Sequence, residues 1–272
     1  MMDERKIITA AVIGLIFIVA ITNGWTSIQG AVTATTSDVV FELDMETNPE
    51  VSSDEVMYEI GSEARLIYDG TNAWHFNGQT NFVQTSSTHL KDIDMSTIMF
   101  WFKSSDLTNR KRAHMVWQGE IDEKRNGQYA GDGWGPEQEF HISTGDHVGI
   151  QKYEKGVIVF YLGDSKNSIK IKKPFRGSGW HHAALVLDNR DGGYAQLFID
   201  GTSVGRETIY NKISKDKWDT LFLGKAGKDG PTGDSDRYFG GKLNDLTIHH
   251  RLYTGPEIKN ICYKQSNAKF CK

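Results

Sequence analysis

Residues 180–205 constrain the fold more than any other part of the chain. Two runs within this region, residues 181–188 and 194–200, have the length and composition of β-strands. Asn189-Arg190-Asp191-Gly192-Gly193 lies between them and favours a turn, because glycine reaches positive φ freely and Asn and Asp bond their own backbone. Asp200-Gly201 follows the second run and favours another hairpin. The region therefore predicts consecutive antiparallel strands.

Short candidate strands separated by Gly, Asn and Asp recur along most of the chain. The 272 residues include 28 glycines but only five prolines, and 11% are aromatic, which is typical of short strands joined by tight turns. This pattern predicts an all-β fold with two packed antiparallel sheets. The further candidate strands are residues 39–43, 64–68, 73–76, 81–85, 96–103, 113–118, 139–143, 148–151, 157–162, 168–171, 220–223 and 242–249.

One short helix is predicted near the C-terminus. Thr254-Gly255-Pro256-Glu257 fits a capping box with Thr254 as the N-cap and Glu257 at the third helical position. We expect Ile258 and Ile261 to face the sandwich.

The N-terminal region has the composition of a membrane segment. Residues 7–37 contain no charged side chain, and residues 7–21 are almost entirely apolar. Extended to residue 28, the segment is long enough to span a bilayer, with Trp25 at the interface. A retained anchor at residues 7–28 is favoured, because acidic residues offset the leader's two basic ones. A cleaved secretory signal with a small-residue site at residues 31–34 is the alternative.

The expected organisation follows from these segments. Residues 1–30 form the membrane anchor or signal segment, residues 31–38 a tether, residues 39–265 the sandwich, and residues 266–272 a C-terminal tail. The sandwich would then lie on the outer or luminal side of a membrane, or be secreted.

Charge and cysteine content limit the possible partners. The net charge is −4 and no long run of Lys or Arg occurs, so a nucleic-acid partner is not expected. Cys262 and Cys271 lie close together in sequence. In an oxidising compartment they could form a disulfide that holds the tail, and otherwise they are two free thiols.

Three blocks of sequence resemble laminin-G-like domains of the concanavalin A-like lectins and glucanases. Residues 76–83 are similar to that family's Phe-Asp-Gly-x-Asp-Asp-Tyr-Val, and the following strand carries Trp101. The second block begins at Trp180, and the third runs from residue 221 through residues 239–248 to the C-terminal helix. The resemblance implies a two-sheet antiparallel jelly-roll sandwich, in which most matched residues are structural.

The same resemblance raises the question of calcium, which many relatives hold near the first turn and the closing strand. The corresponding acidic positions here include Asn77 and Asn81, and the closing pair reads Asn244 and Asp245. This loss of carboxylates argues against tight binding. The acidic loop at residues 229–236 is a second possibility. The candidate ligands for a calcium ion are Asn81, Asp245, Asp234 and Asp236.

A partial enzyme motif occurs at residues 119–123, Gly-Glu-Ile-Asp-Glu. Laminarinase-type glycoside hydrolases on the same sandwich carry Glu-x-Asp-x-Glu, and Glu120 and Asp122 fit its first two positions. The third position is Lys124, and Glu123 would point to the opposite face of a strand. Glycoside hydrolysis is therefore disfavoured.

The insert at residues 131–141 is the best candidate for ligand binding. Its Trp134 is framed by glycines and could stack on a sugar ring while nearby polar groups bond hydroxyls, or it could fold back over the sandwich edge. Trp117 carries the same ambiguity, and we expect His181 and His182 to be core histidines rather than metal ligands. The candidate ligand-binding residues are Trp134, Asp132, Gln138, Glu139 and Tyr129.

The predicted function is a non-enzymatic binding module, membrane-anchored or exported, that recognises a glycan or a glycosylated or protein surface. Loops near residues 126–139 and 229–239 would make the contacts. The alternative is a structural component of a cell-surface layer or virion capsid, whose partners are neighbouring subunits.

Overall fold

Two antiparallel sheets make up most of the structure, a computed structural model. It describes residues 38–43, 59–60, 73–79, 82–85, 89–105, 113–119, 121–122, 128–129, 139–147, 153–164, 166–216, 218, 220–226, 238–266 and 271. The chain divides after Ser37, and all described residues belong to the second unit, Asp38–Lys272. The predicted anchor and most of the predicted tether lie outside the described residues. Within the described part, no helix is both long and apolar enough to cross a membrane.

The strands and helices are short and follow one another closely. Over the described ranges they are β1 (Val39–Leu43), β2 (Glu59–Ile60), β3 (Trp74–Asn77), β4 (Val83–Thr85), α1 (His89–Asp92), β5 (Met95–Ser104), β6 (Ala113–Gly119), β7 (Ile121–Asp122), β8 (Gln128–Tyr129), β9 (Glu139–His147), β10 (Tyr153–Gly163), β11 (Ser168–Pro174), β12 (His181–Asp188), β13 (Gly193–Ile199), β14 (Thr202–Ile209), β15 (Thr220–Leu223), β16 (Gly240–His249) and α2 (Gly255–Gln265).

The strand order confirms the predicted all-β sandwich. The first sheet has the order β1-β16-β5-β12-β13-β14, and β3 also pairs with β16. The second sheet has the order β11-β10-β9-β6-β15-β4-β2, and β7 pairs with β8 in a separate ribbon. Predicted strands at residues 64–68 and 148–151 lie outside the described residues. The short elements β2, β7, β8 and α1 were not predicted.

The hairpin that dominates the sequence forms the centre of the first sheet. Asp188 pairs with Tyr194 next to the turn, and β12 pairs with β5 on its other side. Asp200 and Gly201 have φ values of 51° and 74° and join β13 to β14 in a two-residue turn. Positive φ at both central residues is the geometry that favours Asp-Gly in such hairpins.

The core lies between the two sheets. Alternate residues of β12, namely Ala183, Leu185 and Leu187, face inward and are buried with Phe140 and Phe160 of the second sheet. Because side chains alternate along a strand, the intervening residues face outward.

Helix α2 covers part of the outer face of the first sheet. Ile258 is fully buried against Met99, Val186 and Phe198, and Ile261 packs at the margin of this cluster. Thr254 is the N-cap and donates its backbone N–H to the Glu257 carboxylate over 2.8 Å. The helix and its capping residues are therefore as the sequence predicts.

Candidate functional site

The predicted binding loop is flanked by described residues at the Gly119 end of β6. Tyr129 lies on β8 opposite Ile121, and Glu139 is the first residue of β9, opposite Gly119. The other predicted ligand-binding residues, Trp134, Asp132 and Gln138, lie outside the described residues.

The second predicted contact loop is flanked by residues at the opposite end of β6. Tyr238 bridges to His114, and Phe239 donates its backbone N–H to the Gly224 carbonyl over 2.8 Å. His114 and Gly119 are five residues apart on β6, or roughly 16 Å along a strand. The described flanks of the two loops therefore border the second sheet from two ends and do not lie side by side.

Between these ends, a row of rings crosses the outer face of the second sheet. His141 lies opposite Trp117 and Tyr161 on its two neighbouring strands, and Phe222 lies opposite Trp117. The ring centroids are 5.6 Å apart for Trp117 and Phe222, and 5.3 Å apart for His141 and Tyr161. Trp117 is fully buried, so of its two interpretations the structure favours packing over an exposed sugar platform.

A buried lysine adjoins this row. The Lys225 side chain is only 2% exposed, and its ammonium lies 4.1 Å from the centroid of the Phe82 ring and 5.3 Å from that of Tyr238. A cation over aromatic faces gains electrostatic attraction from the rings. Sequence reasoning missed this residue because lysine is rarely buried and no local pattern marks it.

The outer face of the first sheet carries His182 beside Trp101. Burial lowers the pKa of His182 to about 4, with the nearby Asp200 carboxylate opposing the shift. Among the described residues, neither His182 ring nitrogen has a hydrogen-bond partner, whereas His181 Nδ1 lies 2.7 Å from Asp200 Oδ2. His181 therefore has one ring nitrogen paired, through Nδ1, and His182 is held by packing in its neutral form.

A disulfide joins Cys262 to Cys271, with 5.7 Å between their Cα atoms. Both cysteines are buried against Trp101, and the Trp101 indole N–H donates to Gln265 Oε1 over 3.0 Å. The disulfide and α2 thus cover the same face of the first sheet.

The predicted calcium ligands are only partly described. Asp245 lies in β16 with a φ of 49°, where the pairing with β5 is irregular between Asn244 and Thr247. Asn81, Asp234 and Asp236 lie outside the described residues. Within the described ranges, no group of three or more His, Cys, Asp or Glu side chains could hold a metal ion. Calcium binding stays a prediction.

An exposed cleft lies where the edge strands of the two sheets meet. Strand β11 ends the second sheet and β14 ends the first, and together they enclose a cavity of about 330 Å³. Sequence reasoning missed the cleft because its two strands belong to different sheets. Its lining residues are Lys170, Ile171, Lys172, Lys173, Gly205, Arg206 and Glu207.

The cleft depends on a close approach at Gly205. The pairing of β13 with β14 shifts at Val204, which packs against the core, and such a bulge bends a strand and redirects its side chains. A Cβ atom at Gly205 would lie 2.5 Å from Ile171 Cγ2. Glycine is therefore required for the two edges to approach as they do.

Family comparison agrees with this architecture. Residues 77–259 match the sequence profile of the concanavalin A-like lectin/glucanases superfamily. The chain belongs to this superfamily. No curated protein matches the chain in an overall sequence comparison.

Solved structures with a similar fold include binding domains of botulinum neurotoxins. The binding domain of botulinum neurotoxin serotype D/C superposes with a TM-score of 0.59 at 10% identity, over 84% of this chain and 52% of that one. The type G receptor binding domain gives 0.56 at 14% identity, with 84% and 52% covered. The serotype D binding domain gives 0.58 at 14% identity, with 84% and 51% covered. The similarity spans about half of each toxin chain and concerns the fold.

Because the superfamily includes glucanases, the position of the partial carboxylate motif matters. Asp122 lies on β7, which pairs with β8 in the separate two-stranded ribbon and not with either large sheet. Glu120 lies outside the described residues.

Proposed function

We propose that this superfamily member is a non-enzymatic binding module that contacts a glycan or a glycosylated or protein surface through the rim of its sandwich. The observation that carries the proposal is the burial of outer-face residues on the central strands of both sheets. Met99 and Val186 are buried under α2 on the first sheet, and Trp117, His141 and Ser143 are buried on the second. A ligand reaches strand edges and loops without displacing packed side chains.

The similar solved structures support a binding role by analogy. Their titles describe binding or receptor-binding domains of botulinum neurotoxins. At 10–14% identity, this analogy extends to the kind of function and not to a particular receptor.

The carboxylate motif supports a non-enzymatic role. Retaining hydrolysis requires two carboxyl groups about 5–5.5 Å apart, placed together by strand alternation. Here Asp122 lies on a two-residue strand in the small ribbon, and the third position of the sequence motif is Lys124 instead of Glu.

The disulfide supports delivery to an oxidising compartment, since structural disulfides persist outside the cytosol. We propose that the sandwich lies on the outer or luminal side of a membrane, tethered through residues 7–28, or is secreted.

A glycan array and a binding assay on glycoprotein-bearing cells test the function with the full chain. We expect Trp134→Ala to weaken binding at least tenfold. Tyr263→Ala is the matched control, because Tyr263 is 51% exposed on α2, which packs on the first sheet, whereas Glu139 beside the predicted loop belongs to the second. Binding by neither assay, together with a stoichiometric place in a surface lattice, would favour the structural alternative. Release of sugars from β-1,3-glucan that stops in Glu120→Gln would show an enzyme.

A further inference from the structure

From the juxtaposition of β11 lysines with Arg206 and Gly205 of β14, we infer that the cleft between the sheet edges binds an anionic polysaccharide through its sulfate or carboxylate groups. This assignment rests on the proposed binding function and names a ligand class and a site for it.

The lysines of β11 reach the cleft from both sides of the strand. Lys170 and Lys172 pair with Tyr161 and Val159, positions on the outer face, whereas Lys173 pairs with Ile158 of the core. All three lysines are exposed. Residues two apart on a strand are roughly 7 Å from each other, so Lys170 and Lys172 present successive charges along one line. A linear polymer with repeated anionic groups fits this spacing.

Strand β14 supplies a cation of different geometry. The Arg206 guanidinium lies 3.8 Å from the centroid of the Tyr194 ring, on the neighbouring strand. Stacking on an aromatic face orients the planar guanidinium, and this plane can donate two parallel hydrogen bonds to a carboxylate or sulfate. The cleft therefore combines lysine ammonium groups on the β11 side with an oriented guanidinium on the β14 side.

The charge balance of the lining favours an anion. Among the described residues that line the cleft, Lys170, Lys172, Lys173 and Arg206 are cationic and Glu207 is acidic. The whole chain carries a net charge of −4, so the positive lining is a local property and not a reflection of composition. Exposed Lys166 and Arg176 flank the two ends of β11 and extend the basic edge.

A polysaccharide fits the cleft better than a nucleic acid does. Single-stranded nucleic acids are held by aromatic side chains on which bases stack, and none of the described residues that line this cleft is aromatic. The cleft is lined mainly by residues with charged side chains, which suits a hydroxylated, anionic chain.

Lysine on edge strands also protects proteins against edge-to-edge aggregation. That role requires only charge at an edge. It does not require the bulge at Val204, the glycine that approaches Ile171 or an arginine stacked on Tyr194. These features shape a concavity, and the test must separate shaped binding from general charge.

Binding of the full chain to dextran, carboxymethyl dextran and dextran sulfate tests the assignment, because these three polymers share one backbone. We expect the two charged polymers to bind at physiological ionic strength, dextran not to bind, and affinity to fall as salt is raised. The variant Lys170→Glu/Lys172→Glu should lose at least tenfold in affinity. Lys259→Glu/Lys264→Glu, which makes the same charge change on exposed α2 positions, should lose less than twofold.

A variant that gains affinity distinguishes a specific effect on the cleft from a loss of binding caused by misfolding. Glu207→Gln removes the carboxylate found among the described lining residues and should tighten dextran sulfate binding about two- to fivefold, a result that a damaged fold does not give. Equal losses in the two lysine pairs, no binding of either charged polymer, or equally tight binding of a DNA duplex would overturn the assignment. If the cleft variants keep full dextran sulfate binding while the natural chain binds the glycan array or cells, the assignment fails and the proposed function stands; if the chain binds no glycan and no cell surface, the proposed function fails as well.

Discussion

The imidazole of His182 packs against the indole of Trp101, with 5.1 Å between the ring centroids, on the face of the first sheet that the disulfide covers. The two residues lie directly opposite each other on β12 and β5. The titratable imidazole of His182 thus packs against the same tryptophan that contacts the C-terminal disulfide.

We expect this contact to make the fold sensitive to acid. Burial lowers the pKa of His182 to about 4 in the folded chain, against 6.5 in the unfolded chain. Since the unfolded chain then binds more protons between these values, the free energy of unfolding falls as the pH drops from about 6.5 to 4, by up to about 3 kcal/mol. Urea unfolding at pH 7.5, 5.5 and 4.5 measures this slope.

Replacement of His182 should reduce the slope. His182→Phe keeps a ring against Trp101 and has no proton to gain, so its stability should vary less with pH. Some slope remains, because burial also lowers the pKa of His249. His250→Phe, at an exposed position, is the control and should retain the full slope. An unchanged slope in His182→Phe would contradict the assignment.

The disulfide should stabilise the chain measurably. It links residues nine positions apart, and closing a loop of about ten residues contributes about 2–3 kcal/mol by restricting the unfolded chain. Cys262→Ser/Cys271→Ser should lower the free energy of unfolding by this amount. It should also shift the tryptophan emission to longer wavelength, because Trp101 becomes more exposed to solvent. Added reductant should have the same effect on the natural chain and none on the variant.

Local patterns predicted the parts of the fold that local interactions determine. The turn after Asp188, the Asp200-Gly201 hairpin and the cap at Thr254 each use backbone chemistry within a few residues. The outward and inward faces of β12 followed from alternation once the strand was recognised.

The cleft and the buried cations could not be predicted in the same way. The cleft requires β11 and β14 to meet from different sheets, and the bulge at Val204 has no sequence signal. Lys215 and Lys225 are buried against the general preference of lysine for solvent. The site predicted around Trp134 stays a prediction.

Two glycines with the same φ allow the cost of left-handed backbone strain to be distinguished from the cost of a steric clash. Gly192 and Gly201 both have a φ of 74°, but a Cβ at Gly192 meets nothing within 4 Å, whereas one at Gly201 lies 3.0 Å from Lys259 Cα. Gly192→Ala should cost about 1 kcal/mol from left-handed backbone strain alone. Gly201→Ala should cost more, because α2 must also shift. Thermal unfolding of both variants compares them, and equal costs would show that the helix yields freely.

Two lysines that share one carboxylate provide the last test. Lys215 Nζ is buried and donates to two backbone carbonyls, that of Leu90 over 2.7 Å and that of Ile93 just after α1. Lys212 is exposed, and its Nζ lies 2.5 Å from Asp94 Oδ2. Asp94 Oδ1 is also 3.6 Å from Lys215 Nζ. Lys215→Met should lower the free energy of unfolding by about 2–3 kcal/mol, because a methionine leaves two carbonyls without their charged donor. Lys212→Met should lower it by less than about 1 kcal/mol, as for other surface ion pairs. Urea unfolding at pH 7 measures both, and comparable losses would mean that the shared carboxylate, and not the buried carbonyl contacts, accounts for the stabilisation.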